Sequence, residues 1–281
     1  MWSKLKKDSL DALFLLPSIL GVSVFVLIPF IDVIRRSFTN AIGGQFLGIK
    51  NYQIVLQNEA FLIAAKNTFR FICVCIPLLL TISLILALLL QNMKKGKELL
   101  KSAYLLPMAV PIASVVFVWK ILFHKNGLVN GMFHIEDLNW MGTDYAFYVL
   151  VGSYIWKNLG YHVVLWMAGL SGISRSLYEA AGVDGAGTLR KFIYITLPGL
   201  RGTCFTVVIL AFLNSFKVFR EAYLVAGDYP HQSMYLLQHV FNNWFRELSL
   251  DKLSAGAVLT SIFLLIFIIL LKKVWGMEGE G

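Results

Sequence analysis

With 281 residues, 58% of them apolar, 15% charged and a mean hydropathy of +0.70, the chain is far more apolar than a water-soluble domain of its length requires. It reads as an integral membrane protein. The net charge of +9 does not indicate nucleic acid, because the basic residues are spread over several short loops rather than gathered on one face; the lipid bilayer is the expected surrounding.

A bilayer's hydrocarbon core is about 30 Å thick and takes roughly 20 mostly apolar residues to cross. Runs of that length place six spans, at about residues 12–32, 70–91, 102–122, 145–169, 203–225 and 253–271, in a single transmembrane domain over 1–281. The expected fold class is an all-α membrane protein. The first run follows Lys4, Lys6 and Lys7 as a signal peptide would, yet it is long and no small-residue cleavage pattern follows Ile31, so it reads as a retained anchor. Cys73, Cys75 and Cys204 lie in or beside apolar spans, where a cysteine acts as a small hydrophobe, and they receive no chemical role. The fourth span contains Lys157, and the fifth contains Lys217, Arg220 and Glu221. Between the fifth and sixth, Met234 to Phe245 spaces Leu236, Leu237, Val240, Phe241 and Phe245 as an amphipathic helix, which either meets an extracytoplasmic partner or lies on the membrane.

Basic residues orient the spans. Thirteen fall on one side (Lys4, Lys6, Lys7, Lys94, Lys95, Lys97, Lys101, Arg175, Arg190, Lys191, Arg201, Lys272 and Lys273) against seven on the other (Arg35, Arg36, Lys50, Lys66, Lys125, Arg246 and Lys252). Both termini, and the loop at 171–202 between the fourth and fifth spans, are therefore expected in the cytoplasm. No G-x-x-x-x-G-K-[ST] phosphate loop, metal-spaced histidine pair, serine elbow or acid pair stands out, so this chain is expected to be no enzyme and to hold no metal or cofactor.

The loop is polar and glycine-broken inside a greasy chain. Ser176-Leu-Tyr-Glu179 fits a capping box and predicts a short helix starting there, with Glu179 reaching back to the Ser176 N–H. Ala180 and Ala181 favour helix and leave a thin surface, while Asp184-Gly185 and Gly187 end it. Thr188 then caps a second helix through Ile195, which Pro198 stops. The shape is that of a docking element, although Glu179 as a cap alone, with the apolar residues resting on the bilayer, explains it equally well.

Glu179-Ala180-Ala181, three residues, Gly185, nine residues, Ile195, one residue and Leu197-Pro198 together resemble the EAA loop of ABC importer permeases at every position of that pattern. Further stretches resemble the binding-protein-dependent sugar permeases, of the type that stands first of two in maltose and glycerol-phosphate systems: Phe46-Leu-Gly48-Ile-Lys-Asn51-Tyr52, Leu106-Pro107, Trp119 to Asn130 and Asp184-Gly185-Ala186. The resemblance implies a type I ABC importer permease fold in a bacterial or archaeal plasma membrane. It further implies a heterodimer with a second, homologous permease, two ABC ATPase subunits that carry ATP and Mg, and an extracytoplasmic solute-binding protein. Glu179, Ala180, Ala181, Asp184, Gly185, Ile195, Leu197 and Pro198 would form the ATPase-coupling surface.

Charges inside spans are costly and mark wet or partnered positions. Lys217 and Glu221 are four apart and so placed to pair along one helix face, and Arg220 and Glu221 lie near enough to the span's end to reach outer water, so a path role for Lys217 stays open. The resemblance implies a substrate path lined by Trp156, Asn158, Leu159, Gly160 and Tyr161 in the fourth span and by Asn214, Ser215, Lys217, Phe219 and Arg220 in the fifth. His162 alone is read as a packed histidine. The family's Phe-Asp or Phe-Asn followed by Thr-x-Gly-Gly-Pro is replaced here by Phe219-Arg220 and Ala226-Gly227-Asp228-Tyr229-Pro230, which raises an anionic sugar in place of a neutral maltodextrin. The alternatives are an importer permease for a peptide, amino acid or phosphate ester, and, from another class, a membrane-embedded enzyme or signalling partner.

Overall fold

The structure, a computed structural model, describes residues 15–42, 44–93, 95–135 and 137–275. Lys4, Lys6, Lys7, the start of the first expected span and Lys94 lie outside the described residues. The helices, in chain order, are α1 (Leu15–Ser37), α2 (Lys50–Gln57), α3 (Glu59–Gln91), α4 (Lys97–Ala109), α5 (Ile112–Leu122), α6 (Leu128–Phe133), α7 (Ala146–Ser171), α8 (Arg175–Val183), α9 (188–199), α10 (Arg201–Ala226), α11 (Leu237–Arg246) and α12 (Leu250–Val274). A π turn at Phe192–Thr196 lies within α9, and a 3-10 turn at Phe216–Val218 within α10. The only extended pairing among the described residues is a single bridge between Thr39 and Phe46.

Among the described residues, α1, α3, α10 and α12 are long and apolar enough to cross a bilayer. The 26-residue α7 has the length of a span and carries Lys157, Asn158 and His162 inside it. The third expected span, 102–122, is not one straight helix: α4 and α5 meet at a 91° bend. Val110 there is extended, with φ −71° and ψ 128°, the conformation that a following proline imposes, and Pro111 then opens α5. Hydropathy registers an unbroken apolar run and is blind to this break. The second span begins earlier than its apolar run, at Glu59, because the Asn58 side chain accepts the Phe61 N–H at 3.0 Å and caps the helix.

The chain divides into two compact units. In the first, residues 1–61 with 241–265, every described residue of α1 up to Ile34 is at least partly exposed, and Ser37 at its end is buried. Ser37 Oγ lies 2.7 Å from the Tyr52 hydroxyl, and Asn51 Nδ2 donates to the Ser37 and Thr39 carbonyls at 3.0 and 2.8 Å. The Asn51-Tyr52 pair thus ties α2 to the turn that follows α1.

In the second unit, residues 62–240 with 266–281, α7 is the hub. Val163, Trp166, Met167 and Leu170 pack with Ala87 and Leu90 of α3, Leu200 and Val207 in one buried cluster. Trp166 Nε1 donates to Ser83 Oγ at 3.0 Å, so a polar bond fixes the rotation of α3 on α7. A Cβ on Gly160 would overlap the Tyr104 carbonyl of α4, and one on Gly169 would overlap the Thr203 side chain. Small residues are what allow helices to approach that closely. The expected amphipathic helix at 234–245 forms as α11, but Leu236, Leu237 and Val240 are buried in the protein rather than presented to a membrane. Its start is held by Thr68 Oγ1, which accepts the Leu237 N–H at 3.0 Å, and by Asn67 Nδ2, which donates to the Gln232 and Tyr235 carbonyls.

Candidate coupling loop and translocation path

The loop folds as helix, turn and helix, though by different local chemistry from the capping box. α8 starts two residues earlier, at Arg175 with Ser174 as N-cap, so Ser176 is inside the helix and Glu179 lies past the first turn, beyond reach of the cap position. The Glu179 carboxylate instead faces Arg175 at 3.2 Å, with both side chains exposed. Asp184-Gly185 ends the helix as expected. Gly185 has φ +73°, the Ala186 N–H donates to the Ala181 carbonyl at 2.8 Å and the Gly185 N–H to the Gly182 carbonyl at 3.2 Å, which together make a Schellman motif.

Gly187, not Thr188, is the N-cap of α9. Pro198 does not stop it: the helical path passes through the π turn into Leu197–Gly199, and the break comes at Leu200. Tyr178 of α8 bonds the buried Thr196 Oγ1 at 2.9 Å and fastens the two arms together. Sequence spacing gave no signal for that bond. Of the pattern residues, Glu179, Ala180, Asp184, Gly185, Leu197 and Pro198 are exposed, while Ala181 and Ile195 are half-buried. Leu177, Val183 and Leu189 add exposed apolar surface, with Val183 90% exposed. An acid beside a thin alanine surface and bare aliphatic side chains suits a protein groove.

The expected path residues divide into two sets. Trp156 is exposed and meets Trp119 edge-on at 6.2 Å between ring centres. Lys217 and Arg220 are exposed, and Lys217 Nζ donates to Asn214 Oδ1 at 2.7 Å. Arg220 forms no side-chain hydrogen bond or ion pair among the described residues. Asn158, Leu159, Tyr161, Asn214 and Phe219 are half-buried, and Asn158 Nδ2 is occupied by the Tyr154 carbonyl at 2.9 Å. Gly160 and Ser215 are buried: the former is a packing site against Tyr104, and the latter returns its hydroxyl to the Phe212 carbonyl at 2.6 Å. His162 is packed, fully buried, with Nδ1 2.9 Å from the Asn158 carbonyl oxygen.

The expected Lys217–Glu221 pairing does not form, and Glu221 does not reach outer water. It is buried, and Lys157 Nζ of α7 donates to its Oε1 at 2.8 Å, with side chains 16% and 11% exposed. Lys217 is taken up by Asn214, one turn back, which leaves the carboxylate to the cation that arrives from another helix.

Several apolar helices long enough to cross a bilayer, joined by polar loops, define a multi-pass all-α membrane protein. The chain belongs to the family described as binding-protein-dependent transport system inner membrane component, matched over residues 79–274. It is 30% identical over 280 residues to the trehalose/maltose transport system permease protein MalF of Thermococcus litoralis, covering 96% of this chain and 95% of that one. It is also 30% identical to the sulfoquinovosyl glycerol transport system permease protein SmoG of Agrobacterium fabrum, over 92% of this chain and 87% of the relative. A bacterial ABC transporter involved in the import of the acidic polysaccharide alginate has a chain of the same fold, with a TM-score of 0.84 at 20% identity and 99% of each chain covered.

Proposed function

We propose that the chain is the permease subunit of an ATP-driven importer that carries a sugar or oligosaccharide delivered by an extracytoplasmic binding protein. Its partners are a second, homologous permease and two ATPase subunits, which bind ATP and Mg, and both termini face the cytoplasm. The observation that carries this reading is the EAA pattern folded as a self-satisfied helix–turn–helix with Glu179 and Ala180 turned outward. The turn between its two arms is closed by the Ala186 and Gly185 N–H bonds to Ala181 and Gly182, and the exposed side chains around it are accessible to the ATPase. The relatives' names supply the sugar class.

The substrate is an acidic sugar. Arg220 is exposed on an apolar helix of spanning length and has no side-chain partner among the described residues, an arrangement that suits a watery path carrying anions. Two experiments test these statements. Glu179→Lys should abolish co-purification of the ATPase and ATP-dependent uptake while leaving the permease in the membrane; assembly that survives reversal refutes the coupling role. Lys217→Ala with Arg220→Ala should depress uptake of an acidic oligosaccharide more than that of a neutral one, and unchanged acidic uptake refutes the anionic substrate.

A further inference from the structure

Lys157 and Glu221 lie 64 residues apart in sequence, on the two helices that carry the expected path residues, and their ion pair joins the two helices directly. Both side chains are largely buried, and the second carboxylate oxygen of Glu221, Oε2, is buried with no hydrogen-bond partner. Such a pair is a poor stabiliser. Desolvating two charges offsets most of their attraction, and a carboxylate with one orphan oxygen recovers less still, so apolar residues of similar size would hold the helices at least as firmly. What an ion pair adds over apolar packing is register, because a directional bond between two points fixes how one helix is rotated and slid against the other.

The neighbours show what that register serves. On α7, Trp156 precedes Lys157 and Asn158 follows it; on α10, Phe219 and Arg220 immediately precede Glu221. Trp156 and Arg220 are exposed whereas the side chains of Lys157 and Glu221 next to them in sequence are largely buried. On α10 the exposed cations are Lys217, held by Asn214, and Arg220.

We infer that Lys157 and Glu221 are positioning residues for transport: their bond sets α7 against α10 so that Trp156 and Arg220 present one composite surface to the substrate. This rests on the permease reading above. It accounts for an oppositely charged pair of largely buried side chains joining two long helices.

The test uses the complete importer, with its second permease, ATPases and binding protein, reconstituted in liposomes, and reads substrate imported per ATP hydrolysed. Glu221→Gln and Lys157→Met should each lower that ratio at least about tenfold, the scale expected when path groups are misplaced by about an ångström. The exchange Lys157→Glu with Glu221→Lys should restore it to within about threefold of wild type, since the bond is re-formed with its poles reversed. Lys157→Met with Glu221→Leu should melt at or above the wild-type temperature yet import as poorly as the single variants, a result that a purely structural pair would not give. Should a single variant fold too poorly to assay, the exchange and the apolar pair decide alone. An exchange no better than the apolar pair, or an apolar pair with wild-type import per ATP, overturns the inference while wild-type sugar import still supports the permease reading. Wild-type importer that moves no sugar overturns both.

Discussion

In the loop between α7 and α10, Gly185 stands in open space and is required for its backbone, with φ at +73°; in α7, Gly160 has ordinary helical backbone and is required for the space that a side chain would fill. The two glycines stand for two regions held by different means. The turn of the loop is closed by short-range backbone hydrogen bonds, and most of the side chains around it are exposed. The helix crossings are built from contacts between residues far apart in sequence, and there even polar side chains such as Trp166 and Glu221 are spent inside the chain. Substitutions should therefore cost stability at the crossings and activity in the loop.

Gly160→Ala should have the largest effect. Its Cβ meets backbone, the Tyr104 carbonyl, which cannot swing aside as a side-chain tip would. A loss of about 3 kcal/mol is expected as α7 and α4 are forced apart, visible as a marked fall in the melting temperature of the purified chain in detergent. An unchanged melt would mean that the two helices do not meet there and that the contrast with Gly185 is void.

Acid offers a second probe of the packed region. The His239 ring is fully buried, T-shaped to Phe219 at 4.8 Å and stacked on Tyr235, and its Nδ1 accepts the Leu236 N–H at 3.1 Å. Burial holds its pKa down at about 4, with the Asp228 carboxylate opposing the shift in part. Above pH about 6.5 the imidazole is neutral whether the chain is folded or not, and it contributes no pH dependence. As pH falls below that, the unfolded chain takes up a proton that the folded chain refuses, so stability falls by up to about 3 kcal/mol and levels off below pH about 4. Melting curves between pH 7 and pH 4 should show this slope, and His239→Asn should flatten it. A profile equally steep in the variant would assign the acid sensitivity elsewhere.

Legibility from sequence divides along the same line. The coupling loop could be read because its pattern is contiguous: Asp184-Gly185 ends a helix wherever it occurs, and the spacing from Glu179 to Pro198 survives without tertiary information. The reading erred there in register, placing the first cap at Ser176 instead of Ser174 and the second at Thr188 instead of Gly187, and in stopping the second helix at Pro198. The Lys157–Glu221 bond was hidden because i,i+4 logic offers Lys217 as the nearer partner, and no local rule reveals that Asn214 takes it. Hydropathy likewise registered the apolar run at 102–122 but not the bend within it, which depends on one dihedral pair ahead of Pro111.

Within the loop, Gly185→Ala isolates the backbone requirement, because no atom lies within 4 Å of the added methyl. The cost is that of a side chain in left-handed backbone, about 1–2 kcal/mol, and the Schellman bonds to Ala181 and Gly182 loosen with it. Since α8 is exposed, the global melt should move little, whereas hydrogen exchange of the Gly185 and Ala186 amides should quicken. Exchange that stays slow would show the turn to be held by something other than its glycine.

Tyr178→Phe is the finest cut, removing one oxygen. Thr196 Oγ1 lies 3.4 Å from the Lys191 carbonyl, to which its hydroxyl donates, so the Tyr178 hydroxyl is the donor in the 2.9 Å bond between the arms. Phenylalanine keeps the ring and leaves Thr196 its own acceptor, so only the strap is lost, at about 1 kcal/mol. A loop that transmits force as one piece should then uncouple: the ATPase still binds through Glu179 and the aliphatic surface, but import per ATP falls, because α8 can tilt without carrying α9 and the start of α10. If binding and import instead fall together, the strap serves only to shape the docking surface, and the two arms need not move as one.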